Sequence, residues 1–166
     1  MKLHRTIISL AAAAFMAGFA IPSFGADEKD DSVSMAKIPK AVKKTLAGYA
    51  ADAEVKKAEK GDQDGKTVYE FDIEQGARKF ELTIAPNGDF LGTEEEMPLT
   101  AMPAAAQATI TARAKGGKIV ATEKAVDAKK KVLYEAIIER DGKKVEIAVD
   151  ADGKVVTTED VTEEKG

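Results

Sequence analysis

Glu70, Glu81, Glu135 and Glu146 are the residues best suited by type and placement to do chemistry. They recur at matching positions in two stretches that read in step, TVYEFDIEQGARKFELTIAPNGDFLGTEE (67–95) and VLYEAIIERDGKKVEIAVDADGKVVTTED (132–160). Paired carboxylates can cleave glycosidic bonds, one acting as acid and the other as base or nucleophile. That chemistry needs a carboxyl pKa raised in a buried cleft. The sequence instead sets these acids on one side of alternating strands, among Lys66, Lys79 and Lys144, and the simplest reading is a solvated sheet face. Asp150-Ala-Asp152-Gly-Lys opens like a calcium loop, but such a loop requires a bidentate Glu at its twelfth position, which here is Val161. The matching AlaProAsnGlyAsp at 85–89 keeps the glycine and loses the first Asp, so the shared requirement is that of a turn, with weak calcium contact the minority reading.

Other chemistries lack their residues. The only histidine is His4, and beyond Ser34 the chain has no serine, histidine or cysteine. Nucleophilic Ser-His and Cys-His machinery is thereby excluded, as are the usual zinc, copper and haem ligands. Neither phosphate-cradling glycine motif occurs. No catalytic residue, metal or cofactor is expected.

Residues 1–25 have a basic start (Lys2, Arg5), an apolar run from Ile7 to Ala20 and small residues at Ser23 and Gly25. This is the layout of a secretory signal peptide, with cleavage expected after Gly25. The remaining 141 residues contain no second hydrophobic segment long enough to span a bilayer. Periplasmic or secreted localisation follows, with no membrane anchor after cleavage. Loss of Lys2 and Arg5 leaves 23 basic against 29 acidic residues, a net charge of −6, which argues against nucleic acid as a partner.

Residues 26–37 are polar and aperiodic, and read as a flexible leader. Beyond them the chain repeats: IPKAVKKTL at 38 matches MPAAAQATI at 102, and YEF at 69 matches YEA at 134. In each copy a proline (Pro39, Pro103) opens a helix, and Ile38, Val42, Leu46 and Tyr49 recur at helical spacing in the first. A first strand is expected near 53–59 and 118–124, where poor alternation leaves its faces unassigned. Clear period-two runs follow: Tyr69, Phe71, Ile73 and Phe80, Leu82, Ile84 in one copy, and Tyr134, Ala136, Ile138 and Val145, Ile147, Val149 in the other. Gly-containing turns separate them at 74–77, 86–89, 140–143 and 151–154. The fold class is α+β: two tandem units, 38–96 and 102–161, each a helix plus a four-strand antiparallel meander, with the helices on one face of the sheet or sheets. Residues 97–101 join them, 162–166 form a tail, and the run Glu94-Glu95-Glu96 before Pro98 reads as part of the connection rather than a site.

The opening Pro of each helix, the Tyr-Glu pair of the second strand and the Asp-X-Asp-Gly-Lys turn, in that order, resemble the PepSY-like family of exported bacterial proteins, related in fold to the beta-lactamase inhibitor protein. The resemblance implies a non-enzymatic binding module, possible modulation of a peptidase included. The face turned away from the helices would then carry the contacts: Glu70, Asp72, Glu74 and Glu81 as an acidic patch that draws a protein or peptide with a basic surface, and Leu133, Glu135, Ile137 and Glu146 as a more apolar one that anchors it. The alternative is a passive acidic envelope protein, or a weak cation binder, without a specific protein partner.

Overall fold

The computed structural model describes residues 32–63 and 65–161. The signal peptide at 1–25, the first part of the leader (26–31) and the tail at 162–166 lie outside the described residues. Helix α1 (Lys40–Tyr49) follows Pro39, whose locked φ of −57° leads the chain into the first turn. Val42 and Leu46, four residues apart, fall on one face of it and are buried. Four strands come next, β1 (Glu54–Gln63), β2 (Lys66–Gln75), β3 (Arg78–Ile84) and β4 (Phe90–Glu96), then α2 (Ala104–Arg113) after Pro103, and finally β5 (Lys118–Asp127), β6 (Val132–Arg140), β7 (Lys143–Val149) and β8 (Val155–Val161). No described helix is long and apolar enough to cross a membrane.

All eight strands form one antiparallel sheet in the order β1 to β8, each paired with its neighbour in the chain. The sequence leaves open whether there are one or two sheets. The answer lies in the β4–β5 pairing, where Gly92 to Glu96 run against Asp127 to Glu123. Alternation sends Tyr69, Phe71, Ile73, Phe80, Leu82 and Ile84 to the helix side, where they enclose Ile38, Val42 and Leu46. On the other half Ala136, Ile138, Ile147 and Val149 do the same against Met102, Ala106 and Ile110. Tyr134, the counterpart of buried Tyr69, is only half-buried.

Each helix rests directly on a turn. Thr45 Oγ1 donates to the Gly88 carbonyl at 2.6 Å, and Thr109 Oγ1 donates to that of Gly153 at 2.7 Å. The approach is so close that only glycine fits: both have positive φ (91° and 78°), and a Cβ would lie 2.9 Å from Ala41 O at Gly88 and 2.5 Å from Ala105 O at Gly153. Gly142 also has positive φ but faces open space. Gly142→Ala should therefore cost only the left-handed backbone penalty, ~1–2 kcal/mol. Gly153→Ala must also push α2 off its turn and should cost more, on the order of 3 kcal/mol. Urea unfolding of the two variants checks this, and equal losses would show that the helix does not rest on the turn.

The two halves also meet through side chains. Tyr49, at the end of α1, stacks on Phe90 of β4 with centroids 4.9 Å apart. Lys130, from the β5–β6 turn, lies 3.6 Å from the Phe90 centroid and donates to Tyr49 Oη at 2.8 Å.

Two features differ from the sequence reading, and a third, at Asp150, accords with the turn read there. Residues 32–37, assigned to the leader, run along the sheet edge: Val33 N–H donates to Ala58 O at 2.8 Å and its side chain packs on the first core. Glu94 to Glu96 are not connection but strand: Glu94 and Glu95 pair with both β3 and β5, and Glu96 with β5. Asp150 Oδ1 accepts from the backbone N–H of Asp152 and of Lys154, at 3.1 and 2.9 Å, which is the self-closing of an Asx turn.

Candidate binding face

The side of the sheet away from the helices carries a line of carboxylates that crosses every strand. Its members are Glu59 on β1, Glu70 and Asp72 on β2, Glu81 on β3, Glu94 on β4, Glu123 on β5, Glu135 on β6, Glu146 on β7 and Glu159 on β8. Registration sets many of them directly opposite one another: Glu59 against Glu70, Asp72 against Glu81, Glu81 against Glu94, Glu123 against Glu135, and Glu146 against Glu159. Like charges in directly opposed cross-strand positions destabilise a sheet. The expected solvated face with interspersed lysines is therefore not what forms. Lysines act at the β1–β2 end, where Lys57 pairs with Glu59 at 2.9 Å and Lys56 with Glu74 at 3.3 Å. Towards the centre, the charges that raise Glu81, Glu94, Glu123, Glu135 and Glu146 are those of other carboxylates, although Lys56 and Lys79 reach the same part of the face.

Close packing buries these acids although no second layer of described residues covers them. Glu94 is 7% exposed. Glu81 Oε1 and Glu159 Oε1 are fully buried atoms without a hydrogen-bond partner among the described residues. Burial first, and neighbouring carboxylates second, push Glu81 and Glu135 up to about 8 and Glu146 up to about 7. Glu70 and Asp72 rise for the same first reason, with Lys57 pulling against the shift. Glu94 is raised most, by burial and by Glu135 and Glu123. Glu94 and Glu123 interact directly: Glu123 is raised by burial, while its hydrogen bond with Glu94 favours its ionised form. The pair thus behaves as a carboxyl donating to a carboxylate.

Carboxylate oxygens of Glu94, Glu123 and Glu135 lie within 4.8 Å of one another. Around them the face dips into a recess of about 90 Å³, lined also by Glu81, Glu146, Ala121 and Ile137. Pockets for drug-sized molecules run to several hundred Å³, so the recess admits a single side-chain head rather than a cofactor.

All eight residues singled out from the sequence, Glu70, Asp72, Glu74, Glu81, Leu133, Glu135, Ile137 and Glu146, lie on this face. Asp72, Glu74, Glu81, Glu135, Ile137 and Glu146 line the recess, whereas Glu70 and Leu133 lie outside it. Sequence reasoning missed Glu94 and Glu123, the centre of the cluster. Glu94 sits within an acidic triplet that resembles a connection. Glu123 belongs to β5, whose alternation is broken by a register shift between Ile119 and Ala121. The available signal was the alignment of Glu94 with Glu159 in the two copies.

No protein-family model matches the chain, and no curated protein does. Among solved structures it is similar to a BLIP-like protein from Bacteroides fragilis, 18% identical, with 76% of this chain and 89% of the other covered and a TM-score of 0.62. It is similar also to a DUF2874 family protein from Bacteroides uniformis, at 13% identity, 76% and 91% coverage and a TM-score of 0.65. A candidate periplasmic protein from Bacteroides eggerthii matches at 16% identity, 75% and 89% coverage and a TM-score of 0.64. At these identities the likeness is one of fold: a BLIP-like, mixed α+β architecture. The periplasmic description of such neighbours agrees with the localisation read from the leader.

Proposed function

We propose that this chain is an exported, non-enzymatic binding module whose open sheet face receives a cationic segment of a protein or peptide. The observation that carries the reading is the line of carboxylates across all eight strands, five pairs of which stand directly opposite one another. An isolated fold gains nothing from it, since each opposed pair costs stability, and local rules are broken in this way where a site demands it. A positively charged partner favours the ionised form of these proton-holding acids and so turns the same cost into attraction, while the carboxylates that are already ionised steer the encounter. The finer reading of the architecture, two tandem copies of one PepSY-like unit at 38–96 and 102–161, is supported by the matching Thr-to-Gly bonds under each helix. That the partner is a peptidase whose activity is modulated rests on the family resemblance in the sequence.

The test is calorimetric titration with a basic hexapeptide of alternating Lys and Arg at low and at about 150 mM salt, where charges are screened beyond roughly 8 Å. The parent should bind, more weakly at higher salt. Glu81→Gln with Glu135→Gln should weaken binding ~10-fold or more, as loss of charge-assisted contacts does. Undiminished binding by that folded variant would move the site off this face.

A second reading, a weak divalent-cation site, is favoured by the 4.8 Å convergence of Glu94, Glu123 and Glu135. Calcium takes six to eight oxygen ligands. A calcium-dependent rise in unfolding temperature that Glu94→Gln abolishes, in a protein that ignores the peptide, would select this reading instead.

A further inference from the structure

The recess at the middle of the open face has a more particular shape than a diffuse acidic patch requires. Resting on the reading just proposed, we infer that it is a seat for one arginine side chain of the partner, with the guanidinium among Glu81, Glu94, Glu123 and Glu135 and its methylene stem against Ile137 and Ala121. Four observations on that face lead there.

The volume, about 90 Å³, suits one planar head group and not a folded loop. The acceptors are multiple and convergent, with three carboxylates inside 4.8 Å. A fourth, Glu81, also lines the recess, and one of its oxygens is fully buried without a hydrogen-bond partner among the described residues. Half-buried Ile137 and Ala121 supply an apolar wall, paired across β5 and β6.

Chemistry then separates arginine from lysine. A guanidinium offers five N–H donors in one plane and forks onto carboxylates two bonds at a time. It is also more weakly hydrated than an ammonium, so it gives up less on entering a site from which water is largely squeezed out. A lysine offers three donors around a strongly hydrated point charge and leaves acceptors in this cluster unmet. Charge complementarity on the rest of the face, from Glu59 on β1 to Glu159 on β8, would hold flanking basic residues of the same segment without regard to their identity.

Hexa-arginine and hexalysine, titrated into the full mature chain at equal salt and near neutral pH, test the inference. Hexa-arginine should bind ~10-fold or more tightly than hexalysine, as a bidentate preference implies. Glu94→Gln with Glu135→Gln, verified as folded by its melting transition, should bring the two peptides to the same affinity. Asp160→Asn, a carboxylate-to-amide change on the helix side of β8, should leave the preference intact. If the parent binds both peptides equally, or if the preference survives Glu94→Gln with Glu135→Gln, the arginine seat is wrong and the general docking face stands. If neither peptide binds, both readings fall together.

Discussion

Raising the pH from about 5 to about 8.5 should lower the unfolding temperature of the protein by roughly 10 °C or more, taking a few degrees per kcal/mol for a chain of this size. Acidic proteins usually behave the other way, losing stability as acid protonates paired carboxylates. Here Glu81 and Glu135 hold their protons up to about 8 and Glu146 up to about 7 in the folded state. In the unfolded chain the same groups titrate near the ordinary value of 4.5. Between those limits the native state binds more protons than the unfolded state, so stability falls with rising pH. The contribution is complete below about 4.5 and is lost as pH passes through 7 to 8. Each pKa unit is worth about 1.4 kcal/mol for one group taken alone; these carboxyls raise one another and titrate as a set, so their shifts do not add, and a total on the order of 3–5 kcal/mol is expected. Glu95, which Arg78 holds below its usual range through bonds of 2.8 and 2.9 Å, works in the opposite sense but only in more acid solution. Glu94→Gln keeps the shape and removes the charge. It should match the parent near pH 5 and exceed it at pH 8.5, most visibly in thermal melts. A melting temperature that is flat or rises across this interval would mean that the acids on the open face are not packed as described.

Phe71→Ala should be the most damaging single truncation. Its ring is 0% exposed, on the helix side of β2 between Tyr69 and Ile73, and removing a large buried aromatic typically costs ~3–5 kcal/mol. Tyr134→Ala, in the equivalent strand of the other half, should cost clearly less because Tyr134 is half-exposed. Denaturant midpoints at constant slope measure both. A Tyr134→Ala loss equal to that of Phe71→Ala would mean that the second core closes more tightly over that ring.

Much of this architecture was legible before any coordinates. Alternation at Tyr69, Phe71 and Ile73, and the Asn-Gly and Asp-Gly turns, are local signals, and they sufficed to place four strands and to divide their faces. The helices announced themselves through Pro39 and Pro103. What stayed hidden depends on pairing between distant segments. No local pattern says that β4 continues into β5, and only that junction brings Glu94 to Glu123, which the β5–β6 pairing sets opposite Glu135. The residues of the acidic face were visible singly. Their burial was not, because it arises from neighbours crowding one another across strands and not from the character of any one strand. The extra residue at Val120 further masked β5 by shifting its alternation part-way along.

The unbroken strand order, β1 to β8 with every pairing between neighbours in the chain, bears on how such a protein is made. A chain threaded through an export channel arrives from one end to the other and must find its shape without the far end in hand. In this topology each newly delivered strand needs only the one delivered just before it, so no early strand waits with an open edge for a late partner. Loop closures stay short, which favours rapid acquisition of structure and leaves little time for exposed edges to pair with a stranger. The same order gives the emerging protein a working half at an early stage: once β4 is out, α1 already has its complete sheet surface to lie on.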